Sequence, residues 1–432
     1  MRPVNIVMFT NTFTPHVGGV ARSVSAFAEA YRARGHRVLV VAPTFDDMPE
    51  DEPEVVRAPA IQNFNGSSFS VPFPIPGRLS PLLTESPPDI VHSHHPFLLG
   101  DTALRVGATY NAPVVFTHHT LYDQYTHYLG VESPTLTQIA IDIASGYCNL
   151  CQGIVAPSQS IAELLRRRGV EAPIEVIPTG VDIDRFASGN PDGFREQHKI
   201  PADAFLVGHV GRLAPEKNLA FLVDAVGRFL VKNPSAYFLI VGAGPLKEEL
   251  QRTLYEKQLH DRVRLTGVLQ GEELISAYRA MNVFAFSSLS ETQGMVLTEA
   301  MAADTPVVAV EGPGVTDVLR DRKNGRLLPN EDADAFAGAL AWVHAQRGAE
   351  HDQLCAEAHR TAEEFSLEHC AEKALSFYKR LREEAPQAPE IEDSPWQKAL
   401  RWIEQEWKIL SHHASVVGNA VLETPLSREM NK

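Results

Sequence analysis

Cysteine is scarce in this 432-residue chain, which contains only Cys148, Cys151, Cys355 and Cys370. Four thiols are too few to cross-link a chain of this length, so a reducing, cytoplasmic setting is expected. No apolar run approaches the roughly 20 residues that span a bilayer, and residues 1–10 lack the core and cleavage site of a signal peptide. Basic residues are outnumbered, 39 to 54, which disfavours a nucleic-acid binder because such proteins normally carry a basic face.

Metal and redox motifs are equally sparse. Cys148 and Cys151 have C-x-x-C spacing, but no second Cys or His pair lies at a matching distance, so two structural helix cysteines are predicted. The D-x-D sequence Asp182-Ile183-Asp184 predicts a helix-capping turn. The pattern G-x-G-x-x-G is absent from the first glycine loop, which disfavours an NAD site. We therefore expect neither a metal ion nor a bound cofactor.

Apolar segments of strand length alternate with amphipathic helices along most of the chain. The first are a strand over residues 4–10, a glycine loop, a helix that ends at Gly35 and a strand over residues 38–42, which predict a βαβ unit. The same pattern predicts strands over residues 89–92, 114–117, 153–156, 205–210, 237–241, 263–265, 283–287 and 305–310. Such alternation is typical of parallel sheets with helices on both faces.

The α/β pattern pauses once, near residues 177–182, and the polar stretch that follows to Pro201 is predicted to be a linker. We expect two Rossmann-like, doubly wound parallel-sheet domains that face a cleft, over residues 1–185 and 200–365. A helix over residues 366–385 is expected to cross back to the first domain. Residues 386–432 are expected to form a linker and a C-terminal helical extension.

Residues 46–88 interrupt the pattern of the first domain. This stretch is rich in Pro, Phe and Ser, which predicts no regular helix. Long irregular segments inside compact domains are often functional. A loop on the side of the substrate acceptor is therefore one interpretation, and a plain surface insertion is the other.

Three loops after predicted strands carry groups suited to a phosphate, because ligands of parallel sheets bind beyond the carboxyl ends of the strands. Gly18-Gly19 lets backbone N–H groups approach an anion at a helix start. Arg212 and Lys217 either converge on one diphosphate or both lie on a solvated face. Gly242-Ala243-Gly244 is either a second close-approach loop or a tight turn.

The segment from Ser287 to Ala302 combines a strand end, a glycine turn and a helix start. Glu291 precedes Gly294, and Glu299 lies about one turn into the helix, whose N-terminal N–H groups attract a phosphate. Glu291 can accept hydrogen bonds from sugar hydroxyls, and Glu299 from both hydroxyls of a ribose. Two carboxylates at this spacing are common by chance, but their placement around a glycine turn predicts a nucleotide-sugar site.

These motifs resemble those of retaining glycosyltransferases of family 4, which have the two-domain GT-B fold, over residues 1 to about 385. Glu291 to Glu299 matches the E-x(7)-E motif of that family, and residues 210–218 match its GRL…EKN segment. Gly18-Gly19-Val20 matches its N-terminal glycine loop.

The resemblance implies a role for each motif. Arg212 and Lys217 would hold the donor diphosphate, Glu291 the transferred sugar and Glu299 the ribose. The first domain would then be the acceptor side and the second the donor-binding domain. The other donor-binding residues implied are Gly18, Gly19, Gly211, Gly294 and the backbone amides of Met295, Val296 and Leu297.

Histidines follow two predicted strands of the first domain. His119 is the better match to the family's histidine that faces the donor sugar, and His118 is the next. His92 and His94 follow another strand and are structural candidates, with His94 also a candidate for contact with the sugar acceptor. A metal site from these histidines is not expected, because the motif needs no ion.

The stretch from His119 to Leu129 resembles the corresponding segment of bacterial glucosyltransferases that act on diacylglycerol. This resemblance implies a lipid as sugar acceptor, with Tyr122 and Tyr125 as acceptor residues.

The chain continues beyond the family pattern. Ser394-Pro395 is typical of a helix start, and one face of the helix would carry Trp396, Leu400, Ile403, Trp407 and Leu410. An interfacial membrane helix has this character, and so has a helix that docks on protein or on a second subunit through residues 394–412.

The expected reaction is transfer of a hexosyl group from a UDP- or GDP-sugar to a hydroxyl, with retention of anomeric configuration. The resemblance implies a front-face route without a covalent intermediate, in which the protein positions the reactants and stabilises the departing diphosphate. The alternatives are a sugar-nucleotide epimerase of the same fold and a non-catalytic sugar-binding protein. The expected location is the cytoplasm, including the inner face of the membrane.

Overall fold

The computed structural model describes residues 2–16, 18–61, 71–72, 76–121, 134–384 and 395–422. The chain divides into two compact units, one of Met1–Thr179 with Cys370–Lys432 and the other of Gly180–His369. Each unit is built around its own parallel sheet. The prediction of two Rossmann-like α/β domains is confirmed.

The first unit contains a seven-stranded parallel sheet. Its elements are β1 (Asn5–Phe9), α1 (Gly19–Ala33), β2 (Arg37–Pro43), β3 (Val55–Ala58), β4 (Ala60–Ile61), β5 (Val71–Pro72), α2 (Pro76–Glu85), β6 (Ile90–Ser93), α3 (Leu99–Tyr110), β7 (Val114–Thr117), α4 (Pro134–Leu150), β8 (Gly153–Ala156), α5 (Gln159–Arg167) and β9 (Ile174–Val176). The strand order is β3-β2-β1-β6-β7-β8-β9, and β4 pairs with β5 in a separate antiparallel ribbon.

Helix α1 shows how the sequence pattern produces this packing. Val24, Phe27, Ala28 and Tyr31 recur at helical spacing, and all four are buried. The helix ends before Gly35, whose φ of +82° is left-handed and therefore suits glycine.

The second unit contains a six-stranded parallel sheet. Its elements are α6 (Ile183–Ala187), α7 (Pro191–Gln197), β10 (Leu206–Val210), a 3-10 turn (Pro215–Lys217), α8 (Leu219–Lys232), β11 (Tyr237–Val241), α9 (Lys247–Glu256), a 3-10 turn (His260–Arg262), β12 (Val263–Gly267), α10 (Gly271–Ala280), β13 (Val283–Phe286), α11 (Met295–Ala302), β14 (Val307–Val310), β15 (Gly325–Leu328), α12 (Ala333–Ala345) and α13 (Ala349–Glu364). The strand order β12-β11-β10-β13-β14-β15 reverses between β10 and β13. Ligands of open parallel sheets bind at such a switch point, beyond the carboxyl ends of the strands.

The predicted linker up to Pro201 was wrong, because α6 and α7 occupy most of it and pack against α10. Each of these helices is short and polar and buries a single large aromatic side chain, Phe186 or Phe194, so it lacks a repeated apolar pattern. The capping turn predicted at Asp182 is confirmed: its carboxylate accepts a hydrogen bond of 3.0 Å from the backbone N–H of Arg185.

The prediction that residues 46–88 contain no regular helix was also wrong. Helix α2 begins at Pro76, where the missing N–H costs nothing, and buries Leu79 and Leu83 one turn apart. Strand β3 adds an edge to the seven-stranded sheet. Residues 62–70 and 73–75 lie outside the described residues, so the acceptor-loop interpretation stays a prediction.

The two cysteines with C-x-x-C spacing are buried and not bonded to each other. Burial raises the pKa of Cys148 to about 12 and that of Cys151 well above its usual value. The Cys151 thiol donates a hydrogen bond of 3.3 Å to the Tyr147 carbonyl at the end of α4. Their environment therefore fits structural thiols, as predicted.

Helix α14 (Leu367–Glu384) packs on the sheet of the first unit beside β8. A Cβ on Gly153 would lie 2.6 Å from atoms of Phe377 and Leu381, so only glycine permits this close approach. Arg382 also contacts Asp89 at 2.6 Å, which joins the helix to the start of β6.

The final helix, α15 (Pro395–Leu422), docks on α3 and α4 of the first unit. Arg105 forms a bidentate ion pair with Glu406, with N–O distances of 2.6 and 3.0 Å, and Ile409 enters the apolar core. The apolar face predicted from the spacing does not make this contact: Trp407 is 73% exposed, and Ile403 and Leu410 are also exposed. The side chains of Trp396 and Leu400 lie outside the described residues.

Two isoleucines of α15 allow a matched test of this docking. We expect Ile409→Ala to destabilise the docked helix by about 2 kcal/mol or more, because Ile409 is buried and its truncation leaves a cavity. Ile403→Ala on the exposed face should cost about 0.5 kcal/mol or less. Hydrogen exchange of the α15 amides measures both changes, and equal protection in the two variants would contradict the docked arrangement.

Within the described residues, no helix combines the length and apolarity needed to cross a bilayer.

Candidate active site

Two loops meet at the switch point of the second unit, one after β10 and the other after β13. The Ser287 hydroxyl lies within hydrogen-bond distance of the carbonyls of Lys217 (3.0 Å) and Asn218 (3.1 Å). The hydroxyls of Ser288 and Ser290 lie 3.2 and 3.1 Å from the Glu216 carbonyl. These serines join the two loops, and their role could not be predicted because single serines carry no motif.

Lys217 and Glu291 project from these two loops and form an ion pair through Nζ and Oε1. Both side chains are largely buried, with exposed fractions of 18% and 17%. The pairing neutralises two charges that would be costly to leave alone in a shielded position. The structure thus brings together a cation suited to a diphosphate and a carboxylate suited to sugar hydroxyls.

Glu299 lies on α11, at the other end of the E-x(7)-E motif, and is 3% exposed. Its Oε2 accepts a hydrogen bond of 2.7 Å from the Tyr278 hydroxyl on α10. This bond helps to set the orientation of the carboxylate. Tyr278 could not be predicted from the sequence, because nothing in the local sequence of α10 relates it to Glu299.

The helix start between the two glutamates has the predicted form. Gly294 precedes α11 with φ +72°, a left-handed conformation that favours glycine, and its carbonyl accepts a hydrogen bond from Leu297 N. Gly294, at the N-cap position, has no side chain with which to cap this N-terminus. The N–H groups of Met295 and Val296 lack intrahelical acceptors by the geometry of a helix start, so they are suited to an anion.

The loop after β10 packs directly on the glycine loop after β11. A Cβ on Gly242 would lie 1.9 Å from the Gly211 carbonyl oxygen, and one on Gly244 would lie 2.3 Å from the Leu213 carbonyl oxygen. Gly242 and Gly244 therefore allow the backbone of this loop to contact the backbone of the loop after β10. The Arg212 side chain, between Gly211 and Leu213, is exposed at this edge.

In the first unit, the glycine loop leads into α1. Gly18 has extended backbone at the N-cap position and makes no side-chain cap, and a Cβ on Gly19 would meet nothing within 4 Å. A Cβ on Gly18 would lie 3.2 Å from His16 Nε2, so the space at the start of α1 is open beside Gly19 and closed by the His16 ring beside Gly18.

Several histidines of the first unit form a cluster at the ends of β6 and β7. His94 Nδ1 lies 2.9 Å from His119 Nε2, and the rings of His92 and His94 lie 4.2 Å apart. His118 is fully buried, whereas His119 is half-buried, and the choice of His119 over His118 stays a prediction. Tyr122 and Tyr125 lie outside the described residues.

His92 belongs to a buried hydrogen-bonded chain. Its Nε2 lies 2.7 Å from the Thr117 hydroxyl, and its Nδ1 lies 2.6 Å from the Tyr378 hydroxyl of α14. Tyr378 in turn lies 3.3 Å from the Tyr31 hydroxyl of α1. His92 therefore links β6, β7 and α14, which is a structural role.

Burial keeps this cluster neutral. It lowers the pKa of His92 to about 3 and that of His95 to about 3, and it lowers the pKa values of His94 and His119 well below the usual value. Below pH of about 6.5 the unfolded chain protonates these rings while the folded chain does not.

The first unit should consequently lose stability as the pH falls from 6.5 towards 3. Between the pKa of the folded state and pH 6.5, each such histidine changes the free energy of unfolding by about 1.4 kcal/mol per pH unit. Its full stabilising effect is present above pH 6.5. Hydrogen exchange of the β6 and β7 amides at pH 6.5 and 5.5 measures the slope, which His92→Gln should reduce relative to the surface variant His260→Gln. An identical slope in both variants would contradict the buried neutral state of His92.

Among the residues that the structure describes, no group of three or more His, Cys, Asp or Glu side chains is placed to hold a metal ion.

Both halves of the chain match models of known protein families. Residues 17–185 match the family model described as Glycosyltransferase Family 4, and residues 192–362 match the model described as Glycosyl transferases group 1. The phosphatidyl-myo-inositol mannosyltransferase of Mycobacterium tuberculosis is 31% identical over 335 residues, which cover 75% of this chain and 82% of that protein. The chain belongs to glycosyltransferase family 4.

A second relative, the alpha-monoglucosyldiacylglycerol synthase of Streptococcus pneumoniae, is 26% identical over 343 residues, which cover 78% of this chain and 77% of that protein. Among solved structures, Anabaena HepE in complex with UDP and glucose superposes with a TM-score of 0.67 and 21% identity, over 87% of this chain and all of that one. As a member of family 4, the protein is a glycosyltransferase that uses a nucleotide sugar.

Proposed function

We propose that this glycosyltransferase transfers a hexose from a UDP- or GDP-sugar to a hydroxyl of a membrane lipid such as diacylglycerol, with retention of anomeric configuration. The observation that carries the proposal is the pairing of Lys217 with Glu291 at the switch point, on the loop that leads to Glu299. This site would thus supply a carboxylate for the sugar, a cation for the diphosphate and a carboxylate for the ribose of a nucleotide sugar.

Each donor group has a partner in this site. Lys217 and Arg212 would hold the diphosphate, together with the N–H groups at the start of α11. Glu291 would exchange its bond with Lys217 for hydroxyls of the transferred sugar. Glu299, oriented by Tyr278, would accept hydrogen bonds from the ribose.

The protein's contribution to the reaction is positioning and charge stabilisation. As the bond between the anomeric carbon and the diphosphate breaks, negative charge grows on the departing oxygen, where Lys217 and the helix start can stabilise it. The same departing phosphate would take the proton of the incoming hydroxyl on the same face of the sugar. This route needs neither a covalent intermediate nor a metal ion.

The identity of the sugar acceptor rests on the relatives and on the histidine cluster. Of the two relatives described above, one is named a phosphatidyl-myo-inositol mannosyltransferase and the other a synthase of alpha-monoglucosyldiacylglycerol. His94 and His119, in contact at the strand ends, would face the sugar and its acceptor, with Tyr122 and Tyr125 as further acceptor residues.

The exposed apolar row of Ile403, Trp407 and Leu410 on α15 supports a peripheral contact, either with the bilayer that supplies the acceptor or with a second copy of the chain. The proposed location is the cytoplasm, at the inner face of the membrane.

A panel of radiolabelled donors tests the proposal. UDP-glucose, UDP-galactose, UDP-GlcNAc and GDP-mannose are incubated, in EDTA, with vesicles that contain diacylglycerol or phosphatidylinositol and with simple sugars. We expect label in the lipid fraction with one donor, and an α-anomeric product by NMR.

Other outcomes point to the rival functions. A change of the donor sugar without an acceptor would indicate an epimerase. Donor binding without any turnover would indicate a sugar-binding protein. Transfer to a simple sugar alone would refute the lipid acceptor, and loss of activity in EDTA would refute metal-independent transfer.

A further inference from the structure

The two strands at the switch point of the second unit separate before they end. The β10–β13 ladder joins Val207 with Val283 and Gly208 with Phe284, and it stops there. Both strands nevertheless continue, β10 to Val210 and β13 to Phe286. Parallel strands that separate in this way leave the loops beyond them without a shared backbone ladder.

The side chain of His209 spans this gap. It is fully buried, and its Nδ1 lies 3.1 Å from the Ala285 carbonyl oxygen on β13. A carbonyl oxygen can only accept, so Nδ1 carries the hydrogen and donates it. His209 and Ala285 are the residues at which the next rung of the ladder would fall, so the side chain replaces a missing backbone bond.

The gap lies at the base of the proposed donor site. Beyond His209 the chain passes through Gly211 to Lys217, and beyond Ala285 it passes through Ser287 to Glu291. The serine hydroxyls join the outer parts of these two loops. At the carboxyl ends of the two strands, the side chain of His209 joins them before the loops begin.

We propose that His209 is a positioning residue, which holds the phosphate-binding loop after β10 in register with the sugar- and ribose-binding segment after β13. The inference rests on the proposed donor site. A nucleotide sugar must contact Lys217, Glu291 and Glu299 together, so its binding depends on the relative placement of the two segments.

The rest of the imidazole indicates that His209 acts through the loops and does not bind the donor itself. Its Nε2 is buried without a hydrogen-bond partner among the described residues and points towards Gly211, where an added Cβ would lie 3.2 Å away. Burial lowers the pKa of His209 to about 4, so at neutral pH this nitrogen carries a lone pair and no proton. It therefore has no hydrogen to donate to a phosphate.

Three substitutions at His209 distinguish the roles of its two ring nitrogens. His209→Asn keeps an N–H donor near the position of Nδ1, His209→Gln places its amide near the position of Nε2, and His209→Leu removes both. The thermal midpoint of each variant shows whether it is folded. Titration calorimetry with UDP-glucose and GDP-mannose identifies the donor that the wild type binds more tightly, and the nucleoside of that donor, uridine or guanosine, is titrated by NMR.

We expect His209→Leu to weaken binding of the nucleotide sugar about tenfold, because one buried hydrogen bond to a carbonyl is lost and the loops shift. Binding of the nucleoside, whose ribose would contact Glu299 and which lacks the diphosphate and sugar held by Lys217 and Glu291, should change less than about twofold. His209→Asn should restore binding of the nucleotide sugar to within about threefold of the wild type, and His209→Gln should not.

Three results would overturn the proposal. Unchanged binding of the nucleotide sugar by His209→Leu would show that the bridge does not matter. Equal weakening of nucleotide sugar and nucleoside would show a general effect on folding. Restoration by Gln instead of Asn would assign the role to Nε2. If the folded wild-type protein bound no donor at all, the proposed function itself would fail, and this inference with it.

Discussion

Lys217→Ala is expected to lower kcat/KM for sugar transfer by about 10²- to 10³-fold, the loss seen when a preorganised group that stabilises charge in the transition state is removed. Lys217 is largely buried and paired with Glu291, so its truncation also leaves an unpaired carboxylate in the site. That carboxylate would repel the incoming diphosphate. Initial rates at several concentrations of the radiolabelled donor measure the effect.

The matched control for this prediction is Lys232→Ala at the exposed end of α8, which removes a charge of the same sign far from the motif residues. It should leave kcat/KM within about twofold of the wild type, as is usual for surface substitutions. Glu291→Ala should lower kcat/KM at least about tenfold, which is about 1.4 kcal/mol of barrier. Near-normal turnover in both Lys217→Ala and Glu291→Ala would contradict the assignment of the donor site to these residues.

Glu299→Gln is expected to lower kcat/KM about a hundredfold, or about 2.7 kcal/mol, mainly through a higher KM for the donor. The substitution keeps the volume and one oxygen for the Tyr278 hydroxyl, but it removes the charge and turns one acceptor into a donor. Two ribose hydroxyls would then lose their acceptor in a buried position. Donor-dependent rates and direct titration of the nucleotide separate KM from kcat.

The control for Glu299 is Glu256→Gln on the exposed end of α9, which should change neither parameter. Tyr278→Phe removes only the hydroxyl that orients the carboxylate, so we expect a smaller loss of about threefold to tenfold, consistent with one hydrogen bond. An undiminished donor affinity in Glu299→Gln would remove the ribose role from this residue.

The elements that were predicted correctly are those whose local sequence repeats a pattern. Strands such as β7, β8 and β11 are continuous apolar runs between turn signals, and the structure places them at the predicted residues. Helix α1 buries the four residues whose spacing predicted it. By contrast, α6 and α7 each bury one large aromatic side chain, so their sequences are indistinguishable from a polar linker.

Helix α15 shows a different limit. Its sequence predicted a helix with one apolar face, and a helix forms, but the contact with α3 and α4 uses Glu406 and Ile409 instead. Helical periodicity shows which residues share a face of α15. Which face docks on the first unit depends on the ion-pair partner Arg105, which lies 301 positions from Glu406 in the sequence. No local pattern contains that information.

The E-x(7)-E motif of Glu291 and Glu299 also combines features that the local sequence determines with contacts that depend on the fold. By itself the sequence determined the parallel α/β architecture, the glycine turn at Gly294 and the presence of two carboxylates around a helix start, because these depend on neighbours within one or two turns. Only the tertiary structure decided that Glu291 pairs with Lys217, that Tyr278 orients Glu299, and that His209 bridges to β13. These contacts join residues 74, 21 and 76 positions apart. They exist because the strand order brings β10 and β13 together at the switch point and packs α10 beside α11.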